Sequence, residues 1–296
     1  MRLHVVRKMG GGYGTFLRNL AERGEEVWEI ESQEIPIHPH RVTRLVLYGY
    51  IPNFPFKDFS NSKNFYYFHG LRAVSRRMLS KNAEYNPIHI LKLRAFRKWL
   101  ENFHEFISVS FSMREMARRF YGVDSVVVHN GINLKNLKSC RNEAGDYLLW
   151  IGRDAWIKGI DDFLRLVKML SDIPAVVVGR VRLAKVPYGV RLVGYVSDIG
   201  EIICGARAIV ITSRFEAFSY VTLEGLILGK PVLVLRRAGG AWEILQMLGL
   251  YKWGFDTVED LAEFLKGNPD LSFPFELDLS LFSFDITYRK LMEVLK

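Results

Sequence analysis

Two glutamates, Glu216 and Glu224, stand eight positions apart in the otherwise apolar run SRFEAFSYVTLEGLILGKPVLV, residues 213–234. A carboxylate in such a run is costly to bury unless something pairs with it. An ionised carboxylate accepts two hydroxyls at once, so a pair at this spacing suits a sugar or a ribose. Ser219 is positioned to cap a helix that starts at Tyr220. That cap predicts Glu216 in a strand-to-helix loop and Glu224 just over one turn inside the helix. The plainer alternative, a cap for Glu216 and a salt bridge for Glu224, stays open on these residues alone.

A second cluster is cationic. In WIGRDAWIKG, Arg153 and Lys158 lie five positions apart across a loop that enters a helix. A forked guanidinium and a point-charge ammonium converging from two sides suit a diphosphate; two surface cations are the alternative. KMGGGYGTF places Gly10, Gly11, Gly12 and Gly14 after an apolar run and ahead of a helix, with Tyr13 among them. Bare backbone at a helix entry suits phosphate or sugar. As a dinucleotide fingerprint it lacks the third glycine at the required offset, though Glu31 could serve as the acidic partner. His38-Pro39-His40 has no third metal ligand nearby in sequence and reads as a proline-containing loop.

These residues need a scaffold, and the hydrophobic pattern supplies one. Short β-branched runs alternate with helical stretches, the pattern of parallel α/β sheets. LHVVR, EVWEI, RLVLYGY, NFYYFH, EFISVS and SVVVHN read as strands in the first half. DYLLWIGR, AVVVGR, VRLVGYV, RAIVITS and PVLVLRR do so in the second, joined by helices near 159–170, 198–204 and 220–228. GTFLRNLAERG reads as a helix stopping at Gly24, and Gly229 ends the 220–228 helix. A chain of 296 residues suits two domains. The expectation is α/β, with two Rossmann-like domains at 1–142 and 143–296 and a polar linker at 140–146. Open α/β sheets bind ligands at the carboxyl ends of their strands, and each cluster above falls at such an end.

Composition narrows the class. The chain is 49% hydrophobic and 25% charged, a soluble globular balance without the roughly 18-residue apolar stretch of a membrane span. The N-terminus meets glycine before any long apolar region, so no signal peptide is expected. Cys140 and Cys204 are far apart without a C-x-x-C, so neither a disulfide framework nor a zinc ribbon is expected, and a reducing cytosol is the default. Only Gln33 and Gln246 are glutamine among many Lys, Arg and Glu, which points toward a thermophile.

Charge is divided unevenly. Residues 1–142 hold 23 Lys and Arg against 12 Asp and Glu, a net of +11; the remainder holds 18 against 20, a net of −2. This asymmetry suggests a negatively charged partner for the first half, or a solvated basic face. Arg72, Arg76, Arg77, Lys81, Lys92, Arg94, Arg97 and Lys98 interleave with apolar residues at helical spacing, which fits a membrane-surface helix pair, a nucleic-acid patch or ordinary amphipathic helices. No nucleic-acid-binding module is present, and stacking aromatics do not recur along the basic stretch.

The E-x7-E segment from Glu216 to Glu224, followed by GLILGKPVLV, resembles the retaining glycosyltransferases of the GT-B fold, family 4. Other signatures occur in family order: the Gly10–Gly14 loop, His69-Gly70, HNGIN with Asn130, the Arg153 and Lys158-Gly159 pair, GYV with Tyr195 and Val196, GGAWEIL, and the terminal FSFDITYRKLMEVL. The resemblance spans nearly the whole chain. It implies an active site in the cleft between two domains, with the last helix packing back on the first.

The same resemblance implies roles. Arg153 and Lys158 would hold the donor diphosphate, and Glu224 the ribose hydroxyls. Glu216 would contact the donor sugar and His69 would bind that sugar. Gly11 and Gly12 would let the first loop approach, Tyr195 and Val196 would lie near the nucleobase, and Ala217, Phe218 and Ser219 would line the donor loop. Gly10, Tyr13, His69 and Asn130 would form the acceptor side. The implied reaction moves a sugar from a nucleoside-diphosphate sugar to a hydroxyl on a glycan or lipid-linked acceptor, with retention at the anomeric carbon. No metal and no further cofactor are implied, since Arg and Lys supply the charge. Ala217 and Ser219 stand where the family has glycine, and Ala241-Trp242 replaces its small residue and proline. A cytoplasmic protein, peripheral at the inner membrane face, is the expectation. A non-catalytic binder of nucleotide-sugar or of an anionic surface on the same fold is the alternative.

Overall fold

The computed structural model describes residues 1–7, 11–30, 38–71, 87–133, 140, 145–170, 172–183, 185–272 and 277–296. The chain divides into two compact units, one formed by Met1–Ile132 with Ser280–Lys296 and the other by Asn133–Leu279. Each is built on a six-stranded sheet.

In the first unit the elements run β1 (Arg2–Val6), α1 (Gly11–Ala21), β2 (Glu26–Glu29), β3 (Arg44–Tyr48), β4 (Lys63–Phe68), α2 (Pro87–Leu100), β5 (Glu105–Ser108), α3 (Phe111–Tyr121) and β6 (Val126–Val127). Every pairing is parallel, in the order β2-β1-β3-β4-β5-β6. The apolar runs of the central strands follow from burial on both faces: Leu45, Val46, Leu47, Phe65 and Tyr67 are fully buried. The strand order reverses between β1 and β3, the switch point at which such sheets open a crevice.

A final helix, Phe284–Val294, completes this unit. Its entry pairs with the segment after β6: Ile132 donates to Phe282 at 2.8 Å and Phe284 to Ile132 at 3.1 Å. Thr287 Oγ1 donates to the His129 carbonyl at 2.8 Å. Tyr288 donates to Glu25 Oε1 at 2.8 Å, joining a buried polar cluster. There Arg2 forks onto Glu25 at 2.9 and 3.0 Å, and His4 bridges Glu25 and the Tyr48 hydroxyl. Burial opposes ionisation of Glu25, but hydrogen bonds from His4, Arg2 and Tyr288 outweigh it and hold the carboxyl well below its ordinary range.

The second unit runs β7 (Tyr147–Ile151), α4 (Ile160–Met169), β8 (Ala175–Val178), β9 (Val190–Gly194), α5 (Gly200–Cys204), β10 (Ala206–Ile211), α6 (Tyr220–Ile227), β11 (Val232–Leu235), α7 (Gly240–Met247), β12 (Gly254–Phe255) and α8 (Val258–Lys266). The order β12-β11-β10-β7-β8-β9 is parallel throughout and has the dinucleotide-fold arrangement, reversing between β7 and β10. All eleven strands read from the sequence are present. The twelfth, Gly254–Phe255, is too short to leave a periodic trace. Among the described residues no helix is long and apolar enough to cross a membrane.

One expectation is overturned. Cys140 and Cys204 form a disulfide, their Cα atoms 5.3 Å apart across 64 residues. Linear spacing hid it, because the parallel fold returns the end of α5 to the segment ahead of β7. There Cys140 N–H donates to Leu228 and Asp146 N–H to Gly205. The bond closes a loop containing β7, β8 and β9, so a reducing compartment no longer follows from cysteine usage. Closing 64 residues is worth about 4 kcal/mol by loop entropy. Cys140→Ser, Cys204→Ser and the double variant are therefore expected to melt at one common, lower temperature. Wild type should join them in reductant, as thermal unfolding followed by circular dichroism will check.

Candidate functional site

The switch point of the second unit lies between β7 and β10, whose ends lead into two loops. The first, from Gly152 to Gly159, contains a 3-10 turn at Trp156–Lys158. Gly159 closes that turn at φ 66° and also caps α4. A Cβ at Gly159 would collide with the carbonyl of Thr212, at the start of the second loop. Glycine is thus required twice, for the left-handed backbone and for the close approach. Thr212 returns a hydrogen bond to the Gly159 carbonyl at 2.7 Å, and Trp150 Nε1 donates to Thr212 Oγ1 at 3.2 Å.

Ion pairs clamp the same two loops from outside. Arg214 N–H donates to the Ile157 carbonyl at 2.8 Å, and its guanidinium lies over the Trp156 ring at 4.8 Å. That guanidinium forks onto Asp161 at 2.6 and 3.0 Å and also reaches Asp162. The Arg214 hydrogen bond draws the Asp161 carboxyl below its ordinary value against the opposing effect of burial. Arg237 adds a 2.6 Å bond to Asp162.

Held between the loops is a polar cluster. Glu216 Oε1 accepts from Lys158 Nζ at 2.6 Å and from the Ser213 hydroxyl at 2.7 Å. The Glu216 backbone is fixed on both sides: its N–H donates to Ala238, and its carbonyl accepts from Gly240, each at 2.8 Å. A Cβ at Gly240 would collide with the Ala217 carbonyl, so the Gly239-Gly240 pair lets two backbones meet. Lys158 and Glu216, 58 positions apart, thus converge at one point.

Ser219 caps α6, accepting from Thr222 N at 3.3 Å and from Thr222 Oγ1 at 2.9 Å. Its hydroxyl is committed to the helix, and Ala217 and Phe218 beside it are buried. Glu224 falls in the second turn of α6, and its carboxylate makes no ion pair or hydrogen bond among the described residues. Burial pushes its pKa above the ordinary 4.5. The Tyr220 hydroxyl nearby is also buried without a hydrogen-bond partner among the described residues.

Arg153 is exposed on the loop after β7 and makes no ion pair among the described residues. Next along the edge, Asp154 N–H donates to the Arg180 carbonyl at 3.0 Å. The Arg180 guanidinium lies 5.4 Å over the ring of Tyr195, which is 70% exposed at the end of β9, with Val196 following it. Arg153, Arg180 and Tyr195 therefore follow one another along the carboxyl ends of three adjacent strands.

In the first unit, His69 follows β4 and sits among the rings of Tyr67, Phe16 and Tyr48, with centroids 4.4 to 5.5 Å away. Burial drives its pKa down to about 3, so the ring is neutral near pH 7. Asn130, itself buried, points Nδ2 at His69 Nδ1 across 3.5 Å. Gly11, Gly12 and Tyr13 form the first residues of α1. Gly10 and Glu31 lie outside the described residues, as do Arg72, Arg76, Arg77 and Lys81. The rings of His38 and His40 stack on one another at 5.5 Å.

Ser213, Thr212, Arg214, Asp161, Asp162 and Arg180 pack around these candidate residues, and sequence spacing does not single them out. Ser213 had one available cue, a hydroxyl three positions before Glu216 at a strand end. Gly159→Ala combines the left-handed backbone with the collision at Thr212 and is expected to cost at least about 3 kcal/mol. Gly229→Ala, at φ 75° with open space around the added carbon, is expected to cost about 1–2 kcal/mol. Denaturant titration of both variants checks the order.

Residues 145–265 match the family described as "Glycosyl transferases group 1". No curated protein matches the chain. Among solved structures, the Anabaena protein Alr3699/HepE in complex with UDP-glucose aligns with TM-score 0.71 at 16% identity, covering 100% of this chain and 99% of that one. A sucrose-phosphate synthase from Thermosynechococcus elongatus aligns with TM-score 0.70 at 15% identity, covering 99% and 98%. A glycosyltransferase from Rickettsia africae aligns with TM-score 0.67 at 17% identity, covering 100% and 97%. At these identities the structural likeness speaks to the fold, which is GT-B, two Rossmann-like units in series. The match to the group 1 glycosyltransferases lies within the second unit and supports a transferase enzyme.

Proposed function

We propose that the chain is a retaining, metal-independent glycosyltransferase of family 4 that uses a nucleoside-diphosphate sugar. The observation that carries this reading is the convergence of Lys158, Glu216 and Ser213 at the switch point of the second unit. Lys158 and Arg153, which makes no ion pair among the described residues, bind the diphosphate. Glu224, with its carboxylate unspent, takes the ribose hydroxyls, while Tyr195 and Val196 face the base. Ala217, Phe218 and Ser219 line the donor loop with backbone, and Glu216 binds the donor sugar. The HepE structure bound to UDP-glucose and the group 1 match support a donor of this class.

In the reaction, the bond from the anomeric carbon to the β-phosphate oxygen breaks, and a bond to the acceptor oxygen forms on the same face. The acceptor's proton passes to the departing phosphate oxygen. Lys158 and Arg153 meet the negative charge as it grows, the place where fixed electrostatics accelerate most. His69 is neutral and serves as a hydrogen-bonding group of the acceptor side of the first unit, to which Asn130, Gly11, Gly12 and Tyr13 belong. Lys158→Ala is expected to lose about 3 kcal/mol of transition-state stabilisation, a rate loss of two orders of magnitude or more, with its fold intact. Nucleoside-diphosphate release from UDP-, GDP- and ADP-sugars tests this. Near wild-type turnover in the variant contradicts the assignment, and nucleotide binding with no turnover in wild type favours a non-catalytic binder.

The first unit, we propose further, docks on anionic lipid at the cytoplasmic face and receives a lipid-linked acceptor there. On α2, Ile88 is 59% and Leu91 62% exposed, beside exposed Lys92, Arg94 and Lys98. Arg97 has a separate task, donating to the Phe120 carbonyl at 2.6 and 2.8 Å. Each cation near an anionic surface contributes about 1 kcal/mol and is screened within about 10 Å at 0.1 M salt. Flotation with vesicles of rising anionic content should show increasing binding that salt weakens. Replacing Lys92, Arg94 and Lys98 by Ser should abolish it, whereas equal partition onto neutral vesicles contradicts the electrostatic docking.

A further inference from the structure

Glu216 presents two oxygens, and the structure treats them differently. Oε1 accepts from both Lys158 Nζ and Ser213 Oγ. Two donors occupy its lone-pair directions, leaving Oε2 without a partner among the described residues. Lys158 and Ser213 are not equivalent as holders. The ammonium sits on a flexible four-carbon stem, carries three donors, and its side chain is 27% exposed. Ser213 is 4% exposed, lies two residues beyond the end of β10, and reaches Glu216 through a single rotatable bond. A diphosphate entering the site competes for Lys158, because a phosphate oxygen is a strong charge-assisted acceptor. The Glu216 backbone is bonded to Ala238 and Gly240 and cannot follow.

We propose that Ser213 is a positioning residue. It keeps the Glu216 carboxylate aimed when Lys158 turns to the diphosphate, so that Oε2 is the oxygen presented to a sugar hydroxyl. This rests on the donor-site reading above. Ser213 therefore acts on the sugar-transfer step and contributes little to nucleotide affinity. Lys158 acts on both.

The test separates those effects. UDP-glucose, GDP-mannose and ADP-glucose are offered to wild type, Ser213→Ala and Ser213→Thr; nucleoside-diphosphate release is timed, and affinity for the free diphosphate is measured by calorimetry. Ser213→Ala should slow release about tenfold, on the scale of one lost hydrogen bond, with affinity for the diphosphate unchanged within about twofold. Ser213→Thr, which restores the hydroxyl, should recover most of the rate. Ser213→Cys, a weak donor of similar size, replaces the Ala variant if that variant fails to fold. Unchanged release in the folded Ala variant overturns the proposal, as does a parallel loss of affinity and rate that Thr does not rescue. Wild type that releases nothing from any of the three donors removes the proposed function, and this role for Ser213 with it.

Discussion

The approach of Gly159 to the Thr212 carbonyl fixes the geometry on which the second unit depends. Two parallel strands, β7 and β10, leave the sheet side by side, and their loops must turn in opposite directions over its edge. Only a residue without Cβ, in a left-handed conformation, lets those loops touch. Once they touch, Thr212 bonds back to Gly159, Arg214 bridges to Trp156 and Asp161, and Arg237 reaches Asp162. Lys158, one residue before the glycine, is delivered within 2.6 Å of Glu216, four residues after the threonine. A pair of opposite charges thus stands at the ends of β7 and β10 without having to find one another through long loops.

Polar burial is handled differently in the two units. In the first, Glu25 is saturated: Arg2, His4 and Tyr288 all donate to it, and the cluster ties β1 and the final helix into one body. Such a group is structural, since no lone pair remains for a ligand. In the second unit, Glu224 is held at a raised pKa by burial, and its neighbour Tyr220 keeps an unbonded hydroxyl. Buried polar groups without partners cost stability, and these two stand on the helix that follows the carboxyl end of β10. His69 lies between these cases, neutral through burial among aromatic rings yet set at the carboxyl end of its strand.

Much of this was legible in the sequence because it is written in local rules. Strand runs, the Ser219 cap and the stop at Gly24 each depend on a few adjacent residues, and each is present. The pairing of Cys140 with Cys204 was not legible, because it depends on where α5 returns in space. Ser213 was missed for a related reason: a serine beside a strand end is common, and its bond to Glu216 follows from the direction of the loop. Two departures from the pattern the chain resembles, Ala217 and Ser219, find local explanations. Ala217 is buried with its carbonyl against Gly240, and Ser219 turns its hydroxyl into the helix cap. Trp242, a third departure, lies under the Arg236 guanidinium and against Gly254 of β12.

A crystal structure of the wild-type chain with a bound nucleoside diphosphate is the most direct measurement. Phosphate oxygens are expected within hydrogen-bonding distance, about 3 Å, of Lys158 Nζ and of the Arg153 guanidinium, with the ribose hydroxyls on Glu224. A nucleotide bound away from the ends of β7 and β10, leaving Lys158 and Glu224 untouched, would contradict the assignment of this crevice as the donor site.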